Sequence, residues 1–110
     1  MSKNRWFMRF IEVKTTFEVE EEAKEMAEFL LNEKLIACGQ IAKIESHYNW
    51  NGKRFCEREF FLIMKTKKSL FKELEKTIKA KHSYEVAEII ATPISHLSKE
   101  YADWIISNTK

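Results

Sequence analysis

The sequence is poor in the residues that interrupt a fold. It contains 2 glycines and 1 proline, which leaves little material for a linker. No composition shift, internal repeat or low-complexity segment divides it, so the expectation is one domain spanning residues 1–110. Cysteine is equally scarce, and Cys38 and Cys56 form no close pair. A chain of this length buries about two-thirds of its unfolded surface and folds without staples. Unpaired cysteines in such a chain predict a reduced, cytoplasmic setting. Long apolar runs are missing as well. The opening "MSKNRWFMRFIEVK" is broken by Arg9 and Glu12, so it reads as a strand, and neither a signal peptide nor a membrane span is expected. Charge of one sign is also lacking. The formal net charge of +2 is too small for a dedicated nucleic-acid binder.

What is present is an ordinary globular balance, 45% hydrophobic and 33% charged. Acids gather at Glu18, Glu20, Glu21 and Glu22, and bases at Lys65, Lys67, Lys68, Lys72, Lys76, Lys79 and Lys81. Both clusters read as solvated helix faces. Trp6 to Lys14 is a strand candidate that Thr15 and Thr16 can end and cap. Ala23, Met26, Ala27 and Leu30 recur at helical spacing between Glu20 and Asn32, behind acids that suit the positive end of a helix dipole. Ile36 to Trp50 alternates in part. Asn51-Gly52 then signals a type I′ hairpin turn, because both central residues need positive φ. The returning strand runs from Lys53 to about Thr66. A second helix, capped by Thr66 or Ser69, runs to Lys81 around Leu70, Phe71, Leu74 and Ile78. Val86 to Thr92 forms a fourth strand stopped by Pro93. A last helix starts near Ser98, with Tyr101, Trp104 and Ile105 on one face.

The order β-α-β-β-α-β plus a terminal helix predicts an α+β, ferredoxin-like antiparallel sheet. Two helices lie on one face, a long central hairpin projects, and the strand order is four, one, three, two. This plan leaves one sheet face open, and an open face should be polar at every second residue. Phe60, Phe61, Leu62, Ile63 and Met64 cannot all face the helices. Phe7 and Ile11 lie on one side of strand one, Met8 and Phe10 on the other. The hairpin arm from Ile36 would extend on the order of 45 Å, against a radius of gyration of about 13 Å for a domain of this size. Both features predict a homo-oligomer whose sheets pack face to face and whose hairpins reach neighbouring copies.

Four segments in this order resemble the CutA divalent-cation tolerance proteins. They are "TTFEVEEEAKEMAEFLLNEKLIAC" (Thr15 to Cys38), "YNWNGKRFCEREFFLIMKT" (Tyr48 to Thr66), "HSYEVAEIIATPI" (His82 to Ile94) and "YADWI" near the end. The resemblance covers roughly residues 6–108. It implies a ferredoxin-like homotrimer akin to the PII signalling proteins, a part in divalent-metal tolerance, and copper binding. It also implies that Tyr84 and Glu88 belong to a pocket between subunits, near Trp50 of an adjoining hairpin. Ser83 and Ala87 stand where the family usually has prolines, and Thr15 and Thr16 where some relatives carry a cysteine.

The candidate metal ligands are Cys38 and His82, for copper or another divalent metal. They lie near opposite edges of the predicted sheet, so a site made of both joins two subunits. The structural alternative makes Cys38 a small core residue and His82 a loop residue bonded to backbone. His47 and His96 read as solvated or locally bonded, and Cys56 as a packing residue. Glu57 and Glu59 share a strand face. A buried glutamate in the Trp50, Tyr84 and Glu88 pocket needs a partner such as Lys65 or Arg58. No nucleophile, glycine-rich phosphate loop or catalytic triad accompanies these acids, so no enzyme is expected. The leading expectation is a trimeric, cytoplasmic, non-enzymatic metal-tolerance protein that binds metal weakly. The alternatives are a PII-like sensor for a small anionic ligand, or a scaffold with clefts between subunits. A hydrolase or other enzyme using Tyr84 and Glu88 ranks last.

Overall fold

The structure is a computed structural model, and it describes residues 9–110. Its elements are β1 (Phe10–Phe17), α1 (Glu20–Asn32), β2 (Cys38–Trp50), β3 (Lys53–Lys67), a 3-10 turn (Lys68–Leu70), α2 (Phe71–Lys81), β4 (Ile90–Pro93) and α3 (Lys99–Ser107). The strands form one antiparallel sheet in the order β2-β3-β1-β4, the expected ferredoxin-like arrangement. One core joins Ile11, Val13, Leu62 and Met64 of the sheet to Ala23, Met26 and Leu30 of α1 and Leu74 and Ile78 of α2. Both helices therefore cover the same face. Helix α1 packs close at Gly39, where an added Cβ would lie 3.3 Å from Leu62 Cδ1 and 3.4 Å from Ala27 Cβ.

Several local expectations shift. Strand β1 does not stop at Lys14. Thr15 and Thr16 are buried within it, and α1 is preceded by Val19 with no side-chain cap. The β-branched threonines suit a pleated, packed surface better than a break. Trp6, Phe7 and Met8, where strand one was expected to begin, lie outside the described residues. Neither Thr66 nor Ser69 caps α2. The Thr66 hydroxyl instead donates to the buried Leu35 carbonyl at 2.7 Å. Strand β4 shrinks to Ile90–Pro93, opposite Lys14 to Ile11. Pro93 sits within this ladder, which an edge strand tolerates because its missing N–H need not pair. Ser98 caps α3 as read, its Oγ accepting from the Tyr101 N–H at 3.1 Å.

The second sheet face is only partly covered. Helix α3 turns Ala102 and Ile105 onto Phe10 and Ala37, leaving Tyr101 and Trp104 exposed. Phe61, Ile63 and Ile44 on the same face remain half-buried. The hairpin turns at Asn51 (φ 53°) and Gly52 (φ 76°), as a type I′ turn requires. It carries the molecule to 47 × 28 × 22 Å, with a radius of gyration of 15.0 Å.

Candidate functional site

The polar hinge after α2 builds the site. Helix α2 ends at His82, whose backbone turns extended, and the chain then passes the end of β1. The His82 ring stacks on Phe17, with centroids 4.3 Å apart and planes 7° from parallel. Its Nε2 lies 2.8 Å from the Thr16 carbonyl oxygen, and its Nδ1 accepts the Tyr84 backbone N–H at 3.0 Å. A carbonyl only accepts and a backbone N–H only donates, so these two bonds select the neutral ring with its proton on Nε2. Burial agrees and lowers the His82 pKa, against the opposing pull of the Thr16 carbonyl and of Glu22 and Glu59.

With the hinge held there, the Tyr84 hydroxyl reaches across to Glu59 Oε2, donating at 2.5 Å. Glu59 is 7% exposed. Burial first, and the Glu59 carboxylate second, raise the Tyr84 pKa well above the usual phenol range. Nearby, Tyr48 donates to Glu57 Oε1 at 2.5 Å, and that bond is the main reason its pKa is pushed up to about 12. Thr16, Tyr48, Trp50, Glu59, Tyr84 and Glu88 are among the residues that line a cleft of about 560 Å³. Partial burial raises the Glu88 pKa, and Glu59 adds to the shift.

Of the pocket residues expected from sequence, Trp50, Tyr84 and Glu88 meet in this cleft within one chain. Lys65 does not. It sits toward the other end of β3, donates to the Gln40 side-chain oxygen and lies 3.9 Å from Glu12 Oε2. The buried glutamate is Glu59, and its partner is a tyrosine hydroxyl rather than Lys65 or Arg58. Cys38 stands opposite Lys65, level with Glu12 of β1, whereas His82 docks at Thr16. Four residues along a strand and two strand spacings across separate them, roughly 13 Å and 10 Å. They do not meet within a chain, and both His82 ring nitrogens are already engaged.

Sequence reasoning missed Tyr48 and Glu59 as cleft residues. The signal was available for Tyr48. The Asn51-Gly52 turn sets Tyr48 opposite Phe55 and Ser46 opposite Glu57, which makes Tyr48 and Glu57 diagonal neighbours on one face. On the other face of the hairpin, His47 lies opposite Cys56. Its Nε2 is 2.7 Å from Glu45 Oε2 and 3.6 Å from Cys56 Sγ. The bond to His47 is the first cause of the lowered Glu45 pKa. Desolvation, then the Glu45 charge, raises that of the Cys56 thiol. No helix among the described residues is long and apolar enough to cross a membrane.

Comparison with known proteins places this geometry. A sequence profile of the CutA1 divalent ion tolerance protein matches residues 11–108. The divalent-cation tolerance protein CutA of Pyrococcus horikoshii is 37% identical over 98 residues, 89% of this chain and 96% of that protein. That of Thermus thermophilus is 40% identical over 91 residues, 82% of this chain and 88% of that one. The chloroplastic CutA of Arabidopsis thaliana is 41% identical, but the match spans only 50% of its length. The solved structure described as the periplasmic divalent cation tolerance protein CutA of Archaeoglobus fulgidus superposes with a TM-score of 0.90 at 38% identity, covering 92% of this chain and 99% of that one. The sequence match and the shared fold agree: this chain belongs to the CutA1 divalent ion tolerance protein family.

Proposed function

We propose that this chain contributes to divalent-cation tolerance as a non-catalytic, cytoplasmic homotrimer that holds copper or another divalent metal weakly. The observation that carries self-association is the unfinished second face of the sheet. Helix α3 covers Phe10, while Ile44, Phe61 and Ile63 stay half-buried. Taking such a side chain from exposed to buried is worth roughly 1.5 to 3 kcal/mol, these half-buried groups have part of that still to gain, and identical copies are the simplest cover. On this reading the Trp50, Tyr84 and Glu88 cleft opens at a seam between copies. Cys38 and His82 would supply thiolate and imidazole from two neighbouring chains, donors that suit copper and zinc, after the bond from Tyr84 to His82 Nδ1 opens. The raised pKa values of the cleft's tyrosines keep their hydroxyls protonated as hydrogen-bond donors to Glu57 and Glu59, which supports a packing role for them. Sedimentation velocity of the full chain, followed by copper and zinc titration of Cys38→Ser and His82→Ala, tests this. A single-chain species at micromolar concentration ends the trimer, and unchanged affinity in both variants removes these ligands.

A second reading, a sensor of a small anionic ligand, rests on a different place. A groove of about 730 Å³ beside β4 and α2 is lined by Arg9, Lys67, Lys68 and Lys72 around Phe71 and Pro93. The cleft itself carries Glu59, Glu85 and Glu88, so an anion would choose the basic groove. A rise in melting temperature with nucleotide but not with metal would favour this reading.

A further inference from the structure

Among the described residues, the group of three metal-capable side chains whose donor atoms converge is Glu45, His47 and Cys56, with all donor atoms within 4.8 Å of one another. The hairpin register creates it. Glu45 and His47 are two apart on β2 and share a face, and Cys56 is the direct cross-strand partner of His47. This face points toward α1 and α2 farther down the ladder. The core ends at Ile41 and Phe60, however, so these three side chains stand past the helices and are open to solvent.

We propose that Glu45, His47 and Cys56 form a divalent-cation site for a borderline ion of the zinc class. One carboxylate oxygen, one imidazole nitrogen and one thiolate bind it, and the remaining position is left to water or to a donor from another molecule. The set mixes hard and soft donors, which suits zinc over magnesium or calcium. Binding replaces the Cys56 S–H bond with an S–metal bond and releases that proton to solvent, while the proton that His47 Nε2 shares with Glu45 moves to Nδ1 and frees Nε2 for the metal. Bonds of about 2.1 Å to N and O and 2.3 Å to S hold tetrahedral donors about 3.4 to 3.7 Å apart. The His47–Cys56 separation of 3.6 Å already fits, and the 2.7 Å between His47 and Glu45 opens by rotation of an exposed glutamate. Arg58, opposite Glu45 on β3, competes for that carboxylate and keeps the site weak. The inference deepens the metal-tolerance reading but needs neither the trimer nor Cys38 and His82.

Cobalt(II) titrated into the reduced full chain reads the site directly, because a bound thiolate gives a charge-transfer absorption. Cys38→Ser, which removes the other proposed thiolate ligand, is expected to show the band, zinc to abolish it by displacement, and Cys38→Ser/Cys56→Ser to lack it. His47→Ala should weaken binding by at least about tenfold, the loss that deleting a mere supporting hydrogen bond already causes. In the Cys38→Ser background, His82→Ala should leave this band unchanged. A band that survives in Cys38→Ser/Cys56→Ser, or its absence from Cys38→Ser, overturns the site. A band lost in Cys38→Ser while Cys56→Ser keeps it also overturns the hairpin site, but leaves the seam reading standing.

Discussion

The imidazole of His82 lies flat on the ring of Phe17, 4.3 Å between centroids, and so pins the end of α2 to the end of β1. Tyr84 is positioned through this contact, because its backbone N–H donates to the same ring. His82→Ala removes one stack and two hydrogen bonds and should cost about 2 kcal/mol. His82→Phe, which keeps the stack alone, should recover part of that in a urea titration. Equal stability of the two variants would mean that the stack contributes nothing.

The Tyr84–Glu59 bond predicts a pH dependence. The folded Tyr84 pKa is raised, mainly by burial, so above about pH 10 the unfolded tyrosine ionises while the folded one keeps its proton. The native state then binds more protons than the unfolded one, and stability falls as pH rises. Thermal melts between pH 8 and 11 on the order of this window should show that loss in wild type and less of it in Tyr84→Phe. At neutral pH, Tyr84→Phe should be less stable by about 1 to 3 kcal/mol, since Glu59 loses its partner.

Thr15 carries a buried hydroxyl without a hydrogen-bond partner among the described residues. Valine has the same shape and no polar atom to leave unpaired. Thr15→Val should raise stability by about 1 kcal/mol, measured by chemical denaturation. A loss of similar size would show that the hydroxyl is satisfied in solution.

Phe61 and Ile63 mark the uncovered sheet face. Phe61→Glu should shift the sedimenting species toward a single chain while the far-UV circular dichroism stays unchanged, because Phe61 is half-buried and outside the main core. An assembly of unchanged mass would place the contact between copies elsewhere.

Much of this architecture was legible in the residues. The stripe Ala23, Met26, Ala27 and Leu30 marks α1 with its observed bounds, because helical spacing has one geometric meaning. Asn51-Gly52 marks the turn because few dipeptides accept positive φ twice. The hinge was harder. Val86 to Ile89 belong to the stretch read as a strand yet do not join β4, whose ladder with β1 spans only Ile90–Pro93 opposite Lys14 to Ile11. Lys65 reads as a cleft cation by type, but register places it beside Glu12 and Gln40.

Local sequence determined the elements, their order, and the two-sided greasiness of the sheet, since spacing and turn chemistry act between neighbours in the chain. Only the tertiary structure decided that Tyr84 would satisfy Glu59, that His82 would give both ring nitrogens to backbone, and that Glu45, His47 and Cys56 would converge. Those relationships join residues from different strands and loops, and their distances are set by register and by the packing of the hinge on Phe17, which no local pattern encodes.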